Sequence, residues 1–152
     1  MTTASDQFRQ IVADEWETRM QEDPLLATYT GDHRFNDRLP GVGEADFERR
    51  MEQMQLIQHR LEALDRLALP DADRLDYDIF SRLLANELHL LEFRTYRLPI
   101  SRAGGFHTYF PELYLQVPME TVGDYENYIA RLKAFKRYVD DLVTVDEDAI
   151  AA

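Results

Sequence analysis

The sequence predicts an all-α fold. Three observations carry that expectation: apolar residues recur at steps of three and four through four long stretches, glycine and proline cluster between them, and little of the chain alternates with the period of two that marks a half-buried strand. The expected architecture is four or so long antiparallel helices in a single helical domain over residues 1–152, with helices at 5–22, 45–67, 74–96 and 121–143 and loops at 31–43 and 97–120.

The first helix places Phe8, Ile11, Val12, Trp16 and Met20 on one face, with Ser5 or Asp6 able to cap its start. Asp23-Pro24 stops it and restarts a short turn at "PLLATY". The polar loop "GDHRFNDRL" follows, closed by Pro40, Gly41 and Gly43. The second helix carries the stripe Phe47, Met51, Met54, Ile57, Leu61 and Leu64; Pro70 ends it, and "DAD" at 71–73 offers a cap for the third. Leu75, Ile79, Phe80, Leu83, Leu84, Leu88, Leu90 and Leu91 give that third helix a face too broad for a surface helix, which predicts a central position.

The stretch "RLPISRAGGFHTYFPELYLQVPM" then carries Pro99, Pro111, Pro118 and the pair Gly104-Gly105 and reads as one long irregular loop, a kind that is often functional or packed on a partner. The last helix opens at "TVGD", where Thr121 and Asp124 stand near capping-box spacing. It carries Val122, Tyr125, Ile129, Leu132, Val139 and Leu142 along one side, and the acidic tail "VDEDAIAA" is expected to fray.

A chain of 152 residues is long enough to bury roughly two thirds of its unfolded surface. With 29 acidic against 17 basic side chains, the net charge of −12 disfavours nucleic acid and anionic membrane surfaces as partners, since both need clustered cations. The absence of cysteine excludes disulfides, a thiol nucleophile and thiolate-held metal. No signal peptide pattern and no apolar run near the ~20 residues of a membrane span are visible, so a cytoplasmic chain is expected.

The chemistry available is narrow. The four histidines, His33, His59, His89 and His107, build no HExxH, and neither a GxSxG elbow nor a phosphate-cradling GxxxxGK[ST] loop is present. His59 with Glu62 and His89 with Glu92 have a spacing that puts both groups on one helix face. The order is the reverse of the bundle motif Glu-x-x-His, and both histidines fall on polar sides, so no metal site is expected. In "GDHRFNDRL", Asp32, Arg34, Asp37 and Arg38 can pair among themselves, with Asn36 and Gly31 suited to a tight turn and Phe35 and Leu39 as anchors. The sharper reading makes Arg34 and Arg38 forks for a carboxylate, with His33 beside them. In "GGFHTYF", His107 and Tyr109, with Tyr114 beyond, can line a cleft or simply anchor the loop.

The order of motifs says more than any one of them. "DPLLATYTGDHRFNDRL", "DRLDYDIFSRLL" and "PMETVGDYENYIARLKAFKRYVD" resemble the N-terminal part of the bacterial domain-of-unknown-function family 885, over about Phe8 to Asp140. The resemblance implies kinship with zinc-dependent metallopeptidases of the HExxH type, largely helical and several times longer. It places the zinc ligands and general base in a C-terminal part with no counterpart here, so zinc is implied only for that part and no catalytic residue carries over. Past Asp140, where the family continues into further helices, this chain runs into "DLVTVDEDAIAA".

On that reading the chain alone is not expected to be catalytic. Its loop 31–39 becomes a cleft or docking element for a catalytic half, with exposed apolar surface where that half would meet it and the third helix as the natural seat. The other reading is a stand-alone helical scaffold that buries the same surface by self-association.

Overall fold

The structure is a computed structural model and describes residues 3–98, 100–101 and 104–151. Pro99 lies outside the described residues. The chain is all-α in its main elements: α1 Ala4–Glu22, α2 Pro24–Tyr29, α3 Glu44–Glu62, α4 Asp71–Glu92, α5 Phe106–Tyr109 and α6 Val122–Ala151. Between α4 and α5 a two-residue strand β1, Ile100–Ser101, pairs antiparallel with β2, Gly104–Gly105. That ladder escapes a search for alternation because two residues carry no period.

Long helices fall where the periodicity predicts them, and their ends move for local reasons. The cap of α1 is Thr3 rather than Ser5 or Asp6: its hydroxyl accepts from Asp6 N at 3.1 Å and its own N–H donates to Asp6 Oδ2 at 3.0 Å. α3 stops at Glu62, five residues short of the expected 67, because Asp65 caps a separate 3-10 turn at 66–68. α4 begins at Asp71 with Pro70 as its cap, so "DAD" supplies first-turn carboxylates to the helix dipole instead of the cap. It ends at Glu92, before a left-handed Arg94 (φ 52°). Thr121 and Asp124 do form the reciprocal box at the start of α6, with N–H to carboxylate 2.8 Å and N–H to hydroxyl 3.2 Å. α6 continues to Ala151, eight residues past the expected 143.

By its internal contacts the chain divides into two compact units, Met1–Arg19 with Phe47–Thr95, and Met20–Asp46 with Tyr96–Ala152. The first is built on Phe8, Ile11, Ile57, Leu61, Leu69, Leu84 and Leu88. Phe8 packs on Tyr77 and Phe80, Arg9 approaches Asp73, and Arg19 bonds Glu87, so α1 and α4 run in the same sense. α3 runs against both: Arg60 bonds Asp14 while Leu64 sits by Gln7 and Gln10, and the Tyr77 hydroxyl donates to the Leu61 carbonyl. Within this unit the antiparallel arrangement therefore holds for α3 against α1 and α4, not for α1 with α4.

Two expected faces are corrected. α4 is not central: it buries only Leu84 and Leu88, while Leu75, Ile79, Leu83 and Leu90 are each at least half exposed. A helix apolar nearly all round can spend one side on α1 and α3, and the other remains open. On α6 the apolar side read from the sequence is mostly at the surface, Val122 at 75%, Tyr125 at 53%, Ile129 at 46% and Leu132 at 45% exposure, and of its six residues Leu142 is the buried one. The buried row is Arg131, Tyr138, Leu142 and Val145. The second unit thus turns on a buried cation that apolar periodicity does not register.

Candidate functional site

The loop "GDHRFNDRL" is held by a chain of local devices, each set by residue type. Asp23 accepts from Leu25 N and Leu26 N at 3.1 and 3.0 Å, capping α2 ahead of Pro24. At the far end Gly31, at φ 88°, lets its own N–H reach the Thr28 carbonyl and the Asp32 N–H reach the Ala27 carbonyl, a Schellman closure that suits glycine. Asp32 then caps a 3-10 turn at His33–Phe35, so the stretch predicted as irregular contains one turn of helix.

Arg131 on α6 organises these pieces and is wholly buried. Its Nε donates to the Arg38 carbonyl at 2.8 Å, and its Nη2 donates to the Thr28 hydroxyl at 2.6 Å and to the Pro24 and Phe35 carbonyls at 2.9 and 3.2 Å. One guanidinium thus ties the first turn of α2 to both ends of the loop's second half. Nη1 is buried without a hydrogen-bond partner, and Arg131 makes no ion pair among the described residues. Burial pushes its pKa down to about 10, while the fields of Asp37 and Asp23 pull it back up, so the cation persists at neutral pH.

Asn36, also buried, completes the inner layer. Its carbonyl oxygen accepts from the Thr28 hydroxyl at 2.8 Å, and its amide nitrogen lies 3.3 Å from His33 Nδ1. The amide nitrogen can only donate, so this contact favours an imidazole with its proton on Nε2. Phe35 is buried beneath Arg34 and Arg38, whose guanidinium carbons stand 5.0 and 5.4 Å from its ring centre.

The charged side chains stay outside. Asp32 grips Arg34 through Nε at 2.9 Å and Nη2 at 2.6 Å, and that bond holds the Asp32 carboxyl below its ordinary range. Asp37 and Arg38 approach to 3.5 Å, both largely exposed. His33 is exposed and near enough to Asp124 to add to the Thr121 hydrogen bonds that hold that carboxyl low. The loop therefore presents two cations, two carboxylates and an imidazole on a main chain fixed from behind.

The second predicted stretch meets the same helix one and two turns on. Phe110 stacks on Phe135 with ring centres 3.6 Å apart, and Phe106 meets Phe135 and Tyr138 edge-on. The Tyr109 hydroxyl lies 2.8 Å from that of Tyr138, and burial raises its pKa. His107 is exposed, its ring edge-on to Phe106. Thr108 turns back on Gly105, and Pro111 opens a 3-10 helix at Phe110–Leu115, which is why a stretch with prolines and a glycine pair is less irregular than expected.

Sequence reasoning missed Arg131. The available signal was its spacing: Arg131, Tyr138 and Val145 recur every seven residues, with Phe135 and Leu142 four beyond the first two. His59 and His89 are exposed, and among the described residues no group of three or more His, Asp and Glu side chains converges as metal ligands. No helix among the described residues is long and apolar enough to cross a membrane.

No curated protein and no solved structure matches the chain. A family model does, from Pro24, whose carbonyl Arg131 holds, through the loop and all of α6. The chain belongs to the family described as Bacterial protein of unknown function (DUF885), whose model matches residues 24–152.

Proposed function

We propose that this chain is the helical N-terminal segment of a zinc-metallopeptidase-like protein, without catalytic activity of its own, and that it shapes or covers a peptide cleft in company with a catalytic half. The observation that carries this reading is the Arg131 cage. It fixes the loop's main chain through the Phe35 and Arg38 carbonyls and leaves the side chains of Asp32, His33, Arg34, Asp37 and Arg38 at the surface. A rigid backbone displaying charged groups suits recognition of a polypeptide, whose termini and side chains offer partners for guanidinium and carboxylate alike.

Beside the loop, α6 opens the apolar row Val122, Tyr125, Ile129 and Leu132, a surface of the kind a second protein body covers. The zinc implied by the resemblance would be held by the catalytic half. The setting is cytoplasmic, and the partner is a protein, not a nucleic acid or a membrane.

The test is to mix this chain with a polypeptide carrying the family's HExxH portion and follow cleavage of a peptide library. The expected result is zinc-dependent hydrolysis that needs both chains, with Arg34→Ala and Arg38→Ala raising KM more than they lower kcat. Equal hydrolysis with and without this chain overturns the reading.

A second reading is favoured by one observation, the open apolar face of α4. It makes the chain a helical interaction module that forms a homodimer.

A further inference from the structure

We propose that the outer face of α4 is a parallel, in-register self-association seam that pairs this chain with a second copy of itself; this rests on the homodimer reading and gives it a geometry. Ile79, Leu83, Asn86, Leu90 and Phe93 follow one another at steps of four, three, four and three, the seam spacing of a two-stranded coiled coil. All five are exposed, and the helix's other side, with Tyr77, Phe80, Leu84 and Leu88, is already spent on the core of the first unit. The seam is therefore additional to the fold, not a leftover of it.

Charge decides the occupant and its direction. In this register Arg82 and His89 flank the seam on one side and Glu87 on the other. Parallel pairing sets a flanking residue against the opposite flank of the other helix five positions on, so each Arg82 meets Glu87 of the second copy, twice by symmetry. Antiparallel pairing sets like flanks together and brings Arg82 beside His89 with no carboxylate for it. Arg82 makes no ion pair among the described residues. Glu87 has capacity left: Arg19 takes one bond to each oxygen, Oε1 at 2.9 Å and Oε2 at 2.5 Å, and a carboxylate offers about four acceptor sites. Asn86 falls opposite its own copy, where two amides can bond across the seam and disfavour slipped registers.

The native chain has no cysteine, so single thiols report the geometry cleanly. Sedimentation of the whole chain over a concentration series is paired with copper–phenanthroline oxidation of Asn86→Cys and, as control, of Gln55→Cys on the exposed side of α3. The expected result is a concentration-dependent dimer that cross-links through position 86 and not through position 55, because a parallel seam brings the two 86 Cα atoms within disulfide reach. Arg82→Glu then raises the dimer Kd at least tenfold at low salt, with the effect shrinking as salt is added. A chain that stays monomeric throughout overturns both the seam and the homodimer reading. A dimer that fails to cross-link at 86, or whose Kd ignores Arg82→Glu, overturns the parallel seam and leaves the homodimer reading standing.

Discussion

Replacing Arg131 with methionine tests whether one buried cation holds the loop. The guanidinium makes four hydrogen bonds, three to main-chain carbonyls and one to Thr28. Nε has one hydrogen and Nη2 two, so three N–H groups are shared among the four acceptors; at roughly 1.5–3 kcal/mol per charged donor bond the gross loss is on the order of 5–9 kcal/mol. Against that stands the cost of keeping a cation out of water with Nη1 unpartnered and no carboxylate paired to it, several kcal/mol that methionine does not incur. The carbonyls of Pro24, Phe35 and Arg38 each lose one donor, while Phe35 keeps the Arg38 N–H and Pro24 the Thr28 hydroxyl. The net expectation is a loss of roughly 3–5 kcal/mol, the range for breaking a buried charged cluster. At ~2–4 °C per kcal/mol for a domain of this size, that is a Tm lower by about 6–20 °C.

The assay is urea unfolding by circular dichroism together with amide exchange. Exchange should quicken at Gly31, Asp32, Asn36 and Arg38, whose N–H groups bond within and beside the loop, and stay slow at Leu84 and Leu88 in the other unit. Lysine at 131 should fall between, since an ammonium cannot donate from both the Nε and the Nη2 positions. Methionine within about 1 kcal/mol of wild type would refute the reasoning, because a hydrophobic replacement of similar volume would then do the same work.

Three further outcomes follow from neighbouring contacts. Asn36→Ala strips Thr28 of an acceptor and His33 of its neighbour, and should cost about 1–3 kcal/mol in the same urea titration. Gly41→Ala puts a methyl 2.5 Å from the Asp46 carboxylate, which caps Gly43 N at 3.1 Å, and should cost roughly 1–3 kcal/mol; Gly43→Ala, with ordinary contact at 3.5 Å, should stay within about 0.5 kcal/mol. Thr121→Ala removes a bond that, beside the Thr121 main-chain N–H, holds the Asp124 carboxyl below its ordinary range. A depressed carboxyl stabilises the fold above its unfolded pKa and stops doing so as pH falls through the folded one, so the Tm gap to wild type should be full at neutral pH and narrow as Asp124 protonates in acid, down to what the Asp124 N–H bond to the hydroxyl contributes.

What the sequence made legible, and what it hid, divides along one physical line. Helices announce themselves because apolar spacing is a local property: the stripe Met54, Ile57 and Leu61 marks α3, and Thr121 with Asp124 marks the start of α6, without reference to anything distant. The identity of the buried face is not local. α6 carries two rows, Val122, Tyr125, Ile129 and Leu132 on one side and Arg131, Phe135, Tyr138, Leu142 and Val145 on the other. Hydrophobicity alone favours the first, because it charges an arginine the full price of leaving water. That cost is offset here by carbonyls at the Pro24, Phe35 and Arg38 positions, about a hundred residues away, which the turns around the loop aim at one point. The same logic explains the loop. Asp32, Arg34, Asp37 and Arg38 were legible as mutually pairing charges because the partners are close in sequence, while Asn36 and the three carbonyls were invisible as a binding surface for a cation because their partner is not. A loop dense in polar residues should therefore be searched for the long-range cation or anion that its main chain is shaped to receive, before its side chains are read as a site in their own right.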